Sequence, residues 1–208
     1  LQMKSLNKKK LIIFDLDGVI FDSKKNMKLA WNKTSKKFNL NVKFEKYFEK
    51  IGMPFLNILK TLNIKPDKKI YRFFQKVSFK EIDKINLYDG VTEQLKFLKE
   101  KRIKFSIVTS KDLKRSSFLL RKLKIKPNSI HCPNNTLRGK PYPDHLLYCL
   151  KKNKINRNDA YYVGDTEIDY LAAKRANISF IFAKYGFGKN NRLYKNKISK
   201  FKHIKNFL

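Results

Sequence analysis

Residues 11–23 read LIIFDLDGVIFDS, and the rest of the chain is organised around this stretch. The β-branched and aromatic residues at 11–14 predict a short, buried strand. Two carboxylates, Asp15 and Asp17, follow it directly, and unpaired charge at the end of a buried strand is costly. A hard divalent cation with oxygen ligands would neutralise them. The alternative is an Asp-Gly turn in which one Asp caps the next helix, and this stretch alone does not separate the two.

Length and composition indicate a folded globular protein. The 208 residues can bury one core with an insertion, and 42% of them are hydrophobic. No apolar stretch approaches the length of a membrane span and no signal-peptide pattern opens the chain, so we expect no membrane contact. The two cysteines, Cys132 and Cys149, do not form a disulfide framework, which favours a reduced, cytoplasmic setting.

The net charge of +32 is the most unusual bulk property of the chain. Such a charge raises the hypothesis of a nucleic-acid or membrane-surface partner. However, Lys and Arg recur throughout, together with abundant Asn, Ile, Phe and Tyr, the residues that A/T-rich codons supply. Compositional drift is therefore the favoured explanation. Nucleic acid is therefore a disfavoured partner. The charge does not exclude it, since the chain has no Asp or Glu from Tyr170 onward.

Two kinds of hydrophobic periodicity divide the chain. Over residues 24–86, apolar residues recur at helical spacing between short breaks, which predicts about four helices and no strand. From residue 91 onward, helical and strand patterns alternate, which indicates an α/β fold with a parallel, doubly wound sheet, interrupted by this all-α insertion. The tail, 184–208, predicts one edge strand and a terminal helix. The other predicted strands are 103–108, 129–132, 160–163 and 178–182, and the predicted helices are 91–101, 112–123, 143–152 and 166–176.

Polar residues follow several of the predicted strands, at the edge where ligands bind in such sheets. Each has a plain structural alternative: Ser110 could cap a helix, Asp169 stands in a capping-box pattern, and Lys140 is one lysine among many. Together, however, they would concentrate charge in one crevice unless a cation and an anion bound there. These residues are Asp15, Asp17, Thr109, Ser110, Lys140, Asp165 and Asp169.

The chemistry that this set suits is phosphoryl transfer. Asp15 can attack phosphorus to form an aspartyl phosphate, and Asp17 can protonate the leaving oxygen and then deprotonate water. The carboxylates at the strand ends can hold Mg²⁺. Thr109, Ser110 and the helix N-terminus after them can donate hydrogen bonds to phosphate oxygens. Lys140 can offset charge on the phosphoryl group and on the nucleophile.

Five segments, in this order, resemble the motifs of the haloacid dehalogenase superfamily, and within it the phosphoglycolate-phosphatase-like and β-phosphoglucomutase-like subgroup. The similarity runs over almost the whole chain. The segments are FDLDGVIFDS at 14–23, LYDGV at 87–91, IVTSK at 107–111, GKPYPD at 139–144 and VGDTEID at 163–169.

The resemblance implies a Rossmann-like core formed by residues 1–22 and 88–208, with a helical cap domain inserted at 23–87. The motifs contact only phosphate, metal and the bridging oxygen, so we expect the cap to select the leaving group. The break at 51–55, IGMPF, is the candidate segment for this selection. The alternative is that it is a simple interhelical turn.

The resemblance also implies a role for each acidic motif residue. Asp15 would be the nucleophile and Asp17 the general acid and base. Mg²⁺ would be held by the Asp15 side chain, the Asp17 backbone carbonyl and Asp165. Asp169 would either bind the ion or support its ligands.

The leading prediction is a Mg²⁺-dependent phosphatase that acts on a small phosphorylated metabolite, as a monomer or homodimer. Val19 stands where many phosphatases of the family have Thr. Val is common at this position among the mutase-like members. A sugar-phosphate mutase is therefore one alternative. The other is a nucleic-acid-binding or polynucleotide-end phosphatase that uses the basic surface. Asp17 argues against the dehalogenase branch, which does not need that acid.

Overall fold

The central sheet has six parallel strands in the computed structural model, which describes residues 11–188 and 194–208. Numbered along the chain and given in spatial order, they are β5 (Ile130–His131), β4 (Lys104–Val108), β1 (Leu11–Phe14), β6 (Ala160–Gly164), β7 (Ser179–Ala183) and β8 (Lys197–Ile198). The chain adds β4 and β5 on one side of β1 and the remaining strands on the other. The strand order therefore reverses at β1, which places a crevice at the carboxyl ends of the central strands.

Helices cover both faces of this sheet. They are α5 (Val91–Glu100), α6 (Leu113–Lys122), α7 (Asp144–Asn153) and α8 (Glu167–Ala176), with a C-terminal 3₁₀ helix at Phe201–Phe207. Successive residues of a strand point to opposite faces, and β1 shows this alternation. Ile12 and Phe14 pack in one cluster with α5, α6 and the 3₁₀ helix, whereas Leu11 and Ile13 pack in a second cluster with α7 and α8. Burial on both faces explains why β1 is continuously apolar.

Four more helices follow β1 and form a bundle with its own apolar cluster. They are α1 (Lys24–Phe38), α2 (Phe44–Phe48), α3 (Phe55–Thr61) and α4 (Lys68–Lys80). Trp31 is completely buried in this cluster and stacks on Tyr47, with 4.3 Å between ring centroids. Its indole N–H donates to the carbonyl of Val42 at 2.9 Å, so the ring is satisfied as well as packed.

Two short antiparallel strands carry the chain into and out of the bundle. They are β2 (Phe21–Asp22) and β3 (Asn86–Leu87), and Phe21 pairs with Leu87. Isolated 3₁₀ turns lie at Ile82–Lys84 and Arg157–Asp159. Because β3 begins at residue 86, the prediction of no strand in 24–86 is wrong at its last residue. The predicted extent of the cap domain, 23–87, stays a prediction.

The α/β fold class is confirmed, and the differences from the sequence prediction lie at the ends of elements. Asp112 caps α6, accepting a hydrogen bond from the Arg115 N–H at 3.0 Å, so this helix starts at residue 113. Pro143 precedes α7 instead of beginning it. The tail has the predicted edge strand, β8, but its helix is of the 3₁₀ type. The basic segment 1–10 lies outside the described residues. Within the described ranges, no helix is long and apolar enough to cross a membrane.

The stability of the bundle should depend strongly on Trp31. Trp31→Ala should lower the free energy of unfolding by about 3–5 kcal/mol, because it removes a fully buried ring and leaves a cavity. Leu29→Ala, on the same helix at a position that is 36% exposed, should cost less than about 1 kcal/mol. Urea unfolding, monitored by far-UV circular dichroism because this signal does not depend on the removed indole, measures both free energies. Equal losses would contradict this packing.

Candidate active site

Parallel strands bring the polar residues predicted from the sequence to one edge of the sheet. Asp15 follows β1, Thr109 follows β4, and Asp165 follows β6. These three positions are neighbours because β1 pairs in parallel with both other strands. Lys140 reaches the same edge from the loop before α7. The structure brings all seven predicted residues together, although their roles in catalysis stay predictions.

The Lys140 ammonium is the electrostatic centre of the site. Its Nζ lies 2.9 Å from Asp15 Oδ2 and 2.6 Å from Asp169 Oδ1, and it donates to the Tyr162 hydroxyl at 3.2 Å. Burial alone would lower the pKa of Lys140, but the two carboxylates outweigh it and hold the pKa above its usual value. Lys140 is therefore a fixed positive charge beside Asp15.

Three buried carboxylates, those of Asp15, Asp165 and Asp169, lie close enough to share one ion, with one oxygen of each within 4.8 Å of the others. Burial and these like charges raise the pKa of Asp165 well above its usual value. Asp165 Oδ2 accepts the Phe187 N–H at 2.6 Å, but its buried Oδ1 has no partner among the described residues. Gly18, at φ 85°, lets the β1 turn approach, because a Cβ there would collide with the Asp165 carboxylate. An unpartnered buried oxygen among carboxylates fits a hard divalent cation.

Asp169 is held by a full set of hydrogen bonds. Its Oδ1 accepts from Tyr162 at 2.7 Å as well as from Lys140, and its Oδ2 accepts from the Thr166 hydroxyl at 2.6 Å and N–H at 3.1 Å. With the bond that Asp169 N–H donates in return, Thr166 and Asp169 form the predicted capping box at the start of α8. The paired Lys140 lowers the pKa of Asp169 despite its complete burial.

Asp17 is held by two partners. The Ser23 hydroxyl donates to Asp17 Oδ1 at 2.6 Å, and Lys111 Nζ lies 2.9 Å from Oδ2. Lys111 is itself buried, which lowers its pKa, although the ion pair with Asp17 opposes this effect. Asp17 is 13% exposed and faces the cavity described below, so it keeps access to a ligand.

The two hydroxyl residues after β4 have different contacts. Thr109 is buried, lines the cavity and accepts the Lys111 N–H at 3.2 Å. Ser110 Oγ donates to the carbonyl of Gly52, in the helical bundle, at 2.6 Å. Its hydroxyl hydrogen is therefore already used to join the core to the bundle.

A cavity of about 50 Å³ lies between the core and the bundle. The core contributes the charged side chains Asp15, Asp17, Lys111 and Arg115. The segment 51–55 does face this cavity, since Ile51, Gly52, Met53 and Phe55 all line it. The bundle lining carries no formal charge; it consists of Met27, Tyr47, Ile51, Gly52, Met53, Phe55, Ile58, Tyr71 and Phe74.

Arg115 is a cavity residue that the sequence analysis missed. Its Nε lies 2.5 Å from Asp112 Oδ2, and its Nη1 donates to Ser78 Oγ at 2.7 Å. The guanidinium also lies 5.6 Å from the centre of the Phe74 ring. Arg115 thus links α6 of the core to α4 of the bundle. In so basic a chain, nothing in the local sequence distinguishes it.

Lys111 and Tyr162 were also missed, although each left a signal. Lys111 directly follows the two hydroxyl residues predicted to bind phosphate. Tyr162 stands in a strand that is apolar apart from its two tyrosines, and a buried hydroxyl needs a partner.

Comparison with known proteins agrees with this geometry. Residues 12–183 match the family model of the haloacid dehalogenase-like hydrolases. The chain is 24% identical to the pyrophosphatase PpaX of Oceanobacillus iheyensis, over 80% of this chain and 79% of that protein. It is 28% identical to the phosphoglycolate phosphatase of Colwellia psychrerythraea, over 88% and 87%.

A crystal structure of a hydrolase from Pseudomonas syringae has the same fold, with a TM-score of 0.85 at 23% identity. The match covers 95% of this chain and 97% of that one. The chain therefore belongs to the haloacid dehalogenase-like hydrolases, and the prediction that it is a phosphatase of that family is confirmed.

Proposed function

We propose that the chain hydrolyses a small phosphate monoester with Mg²⁺, through an aspartyl phosphate on Asp15. The observation that carries this proposal is the buried Asp15 carboxylate, which lies at the sheet edge with Lys140 at 2.9 Å on one side and Asp165 on the other. Burial raises the pKa of Asp15 to about 6, and the Lys140 charge opposes a larger rise, so the carboxylate is mostly ionised at neutral pH and able to attack.

In the first half of the reaction, a carboxylate oxygen of Asp15 bonds to phosphorus while the ester P–O bond breaks. Asp17 donates its proton to the departing oxygen. In the second half, Asp17 takes a proton from water, whose oxygen bonds to phosphorus and releases Asp15 and inorganic phosphate. Ser23 and Lys111 orient Asp17 for both transfers.

Mg²⁺ would be held by the Asp15 side chain, the Asp17 backbone carbonyl and the unpartnered Oδ1 of Asp165. When bound, it supplies positive charge opposite the phosphoryl oxygens. We assign Asp169 a supporting role, since both of its oxygens already accept hydrogen bonds and one of them positions Lys140. Thr109 would donate to a phosphoryl oxygen, whereas the Ser110 hydroxyl bonds the core to the bundle at Gly52.

The cavity supports a small substrate with a second acidic group. A volume of about 50 Å³ leaves room for few atoms beyond the phosphoryl group, which disfavours a polynucleotide end. The core places two cations, Lys111 and Arg115, on the cavity wall, whereas the bundle lining carries no formal charge. The named substrates of the two relatives, phosphoglycolate and pyrophosphate, are small and doubly acidic. A sugar-phosphate mutase would instead retain the phosphoryl group.

Asp15→Asn should reduce phosphate release by at least about 10³-fold, because it removes the attacking group. Release from p-nitrophenyl phosphate with Mg²⁺ measures this, and thermal melting checks the fold. Asp22→Asn, an exposed change in the nearby strand β2, is the control and should keep its activity. Substantial turnover by the Asp15 variant would exclude a covalent intermediate on this residue.

Asp17→Asn should slow hydrolysis by about 10²–10⁴-fold for an alkyl phosphate, whose leaving oxygen needs a proton. The loss should be smaller for p-nitrophenyl phosphate, whose leaving group departs as a stabilised anion. Single-turnover rates on both substrates give the comparison. Equal slowing of the two would remove the general acid from the mechanism.

Arg115→Met should lower kcat/KM for phosphoglycolate by about tenfold or more, since a charge-assisted contact is lost. The effect on ethyl phosphate, which lacks the second acid, should be several-fold smaller. Arg121→Met, an exposed change on the same helix, serves as the control. If both esters lost equally, Arg115 would act only by joining cap and core.

A further inference from the structure

A second concave site lies at the opposite end of β4 from the active site. This groove has a volume of about 610 Å³, against about 50 Å³ for the catalytic cavity. It runs between α5 and the loop that follows α6, across the first residues of β4. Its lining residues are Thr92, Leu95, Lys96, Lys99, Arg102, Ile103, Lys104, Phe105, Leu123, Lys124, Ile125, Lys126 and Asn128.

The charge of the groove is entirely positive. Six of its side chains are cations, three from α5 and its following turn, one from β4 and two from the loop after α6: Lys96, Lys99, Arg102, Lys104, Lys124 and Lys126. None of its lining residues is acidic. Within 11–188 and 194–208, none of these six forms an ion pair, in contrast to the buried cations Lys111, Arg115 and Lys140. The groove therefore has uncompensated charge to offer a ligand.

The floor of the groove is apolar. Leu95, Ile103, Phe105 and Ile125 belong to the core cluster on this face of the sheet, and their small exposed surfaces form the floor together with Leu123. Arg102 and Lys124 extend from tight turns with left-handed backbone, φ 55° at each, so the turns that end α5 and α6 set their positions on the rim. An apolar floor with polar groups on its rim is the general form of a small-molecule site, and 610 Å³ falls in the usual size range.

We propose that this groove binds a nucleoside polyphosphate, at a site separate from catalysis. The rim cations complement a phosphate chain, which carries several negative charges close together. The apolar floor accommodates the flat base, and Thr92 offers a hydroxyl to the sugar. Asn128 offers its amide NH₂ to the base, since its Oδ1 already accepts the Phe105 N–H at 3.1 Å. A nucleic-acid backbone needs only a basic surface and could bind equally well to a flat one. The concave shape and the apolar floor of the groove therefore favour a small ligand.

The test is calorimetric titration of the full chain with ATP, in EDTA so that no turnover occurs, at physiological ionic strength. One molecule should bind per chain. Lys99→Glu combined with Lys126→Glu should weaken this binding by at least about tenfold, because two attractive charges become repulsive. The matched control is Lys65→Glu with Lys68→Glu, an equal charge change at exposed cap positions outside the groove, which should alter the affinity by less than about twofold.

Four results would overturn the proposal. Equal weakening in both double variants would mean attraction to the overall charge. Equal affinity for inorganic triphosphate would mean that the floor contributes nothing. Displacement of ATP by inorganic phosphate would place it in the catalytic cavity, and tighter binding of a single-stranded oligonucleotide, lost with the same reversals, would make the groove a nucleic-acid surface. Because no turnover is measured, failure here leaves the proposed phosphatase mechanism untouched.

Discussion

The site depends on one buried interaction, the Lys140 ammonium between the carboxylates of Asp15 and Asp169. Charges at the dry edge of a sheet are tolerated only when they are paired and hydrogen-bonded. Removing Lys140 would leave two buried anions uncompensated, and removing either carboxylate would leave the other pair distorted. The third carboxylate, Asp165, receives one hydrogen bond and no ammonium, so one of its oxygens stays without a partner in the described chain. The arrangement that pairs Asp15 and Asp169 with Lys140 thus leaves Asp165 without a cationic partner among the described residues.

Buried hydrogen bonds also connect the core to the helical bundle. Arg115 donates to Ser78, which in turn donates to Asn26 at 2.6 Å, so one buried network joins α6, α4 and α1. Ser110 adds a direct bond to the Gly52 carbonyl. Both core residues lie within four positions of Lys111, whose ammonium pairs with Asp17. The position of the bundle is therefore linked to core residues that line the cavity.

Much of this could be predicted from the sequence because the information is local. Short, continuous apolar runs predict β1 and the other central strands, and parallel pairing then brings Asp15, Thr109 and Asp165 to one edge without further knowledge. The side chains that contact these residues could not be predicted in the same way. Which of many basic residues reaches Asp17 or Ser78 depends on contacts between distant segments, so Lys111 and Arg115 were not distinguishable by composition. Ser110 illustrates the same limit, since its position after a strand suggests phosphate, whereas its hydroxyl contacts Gly52, 58 positions earlier.

The pairing of β2 with β3 has a consequence for how such enzymes diversify. Phe21 and Asp22 lie beside Leu87 and Asn86, so a separate two-stranded ladder holds the two ends of the intervening segment together. The helical bundle therefore leaves the core and returns to it at the same place, between β2 and β3. Its length and content can change through insertion, deletion or recombination while the strand order and the carboxylate geometry are retained. The helical bundle can therefore be lengthened, shortened or replaced in evolution without a change in the order of the core strands.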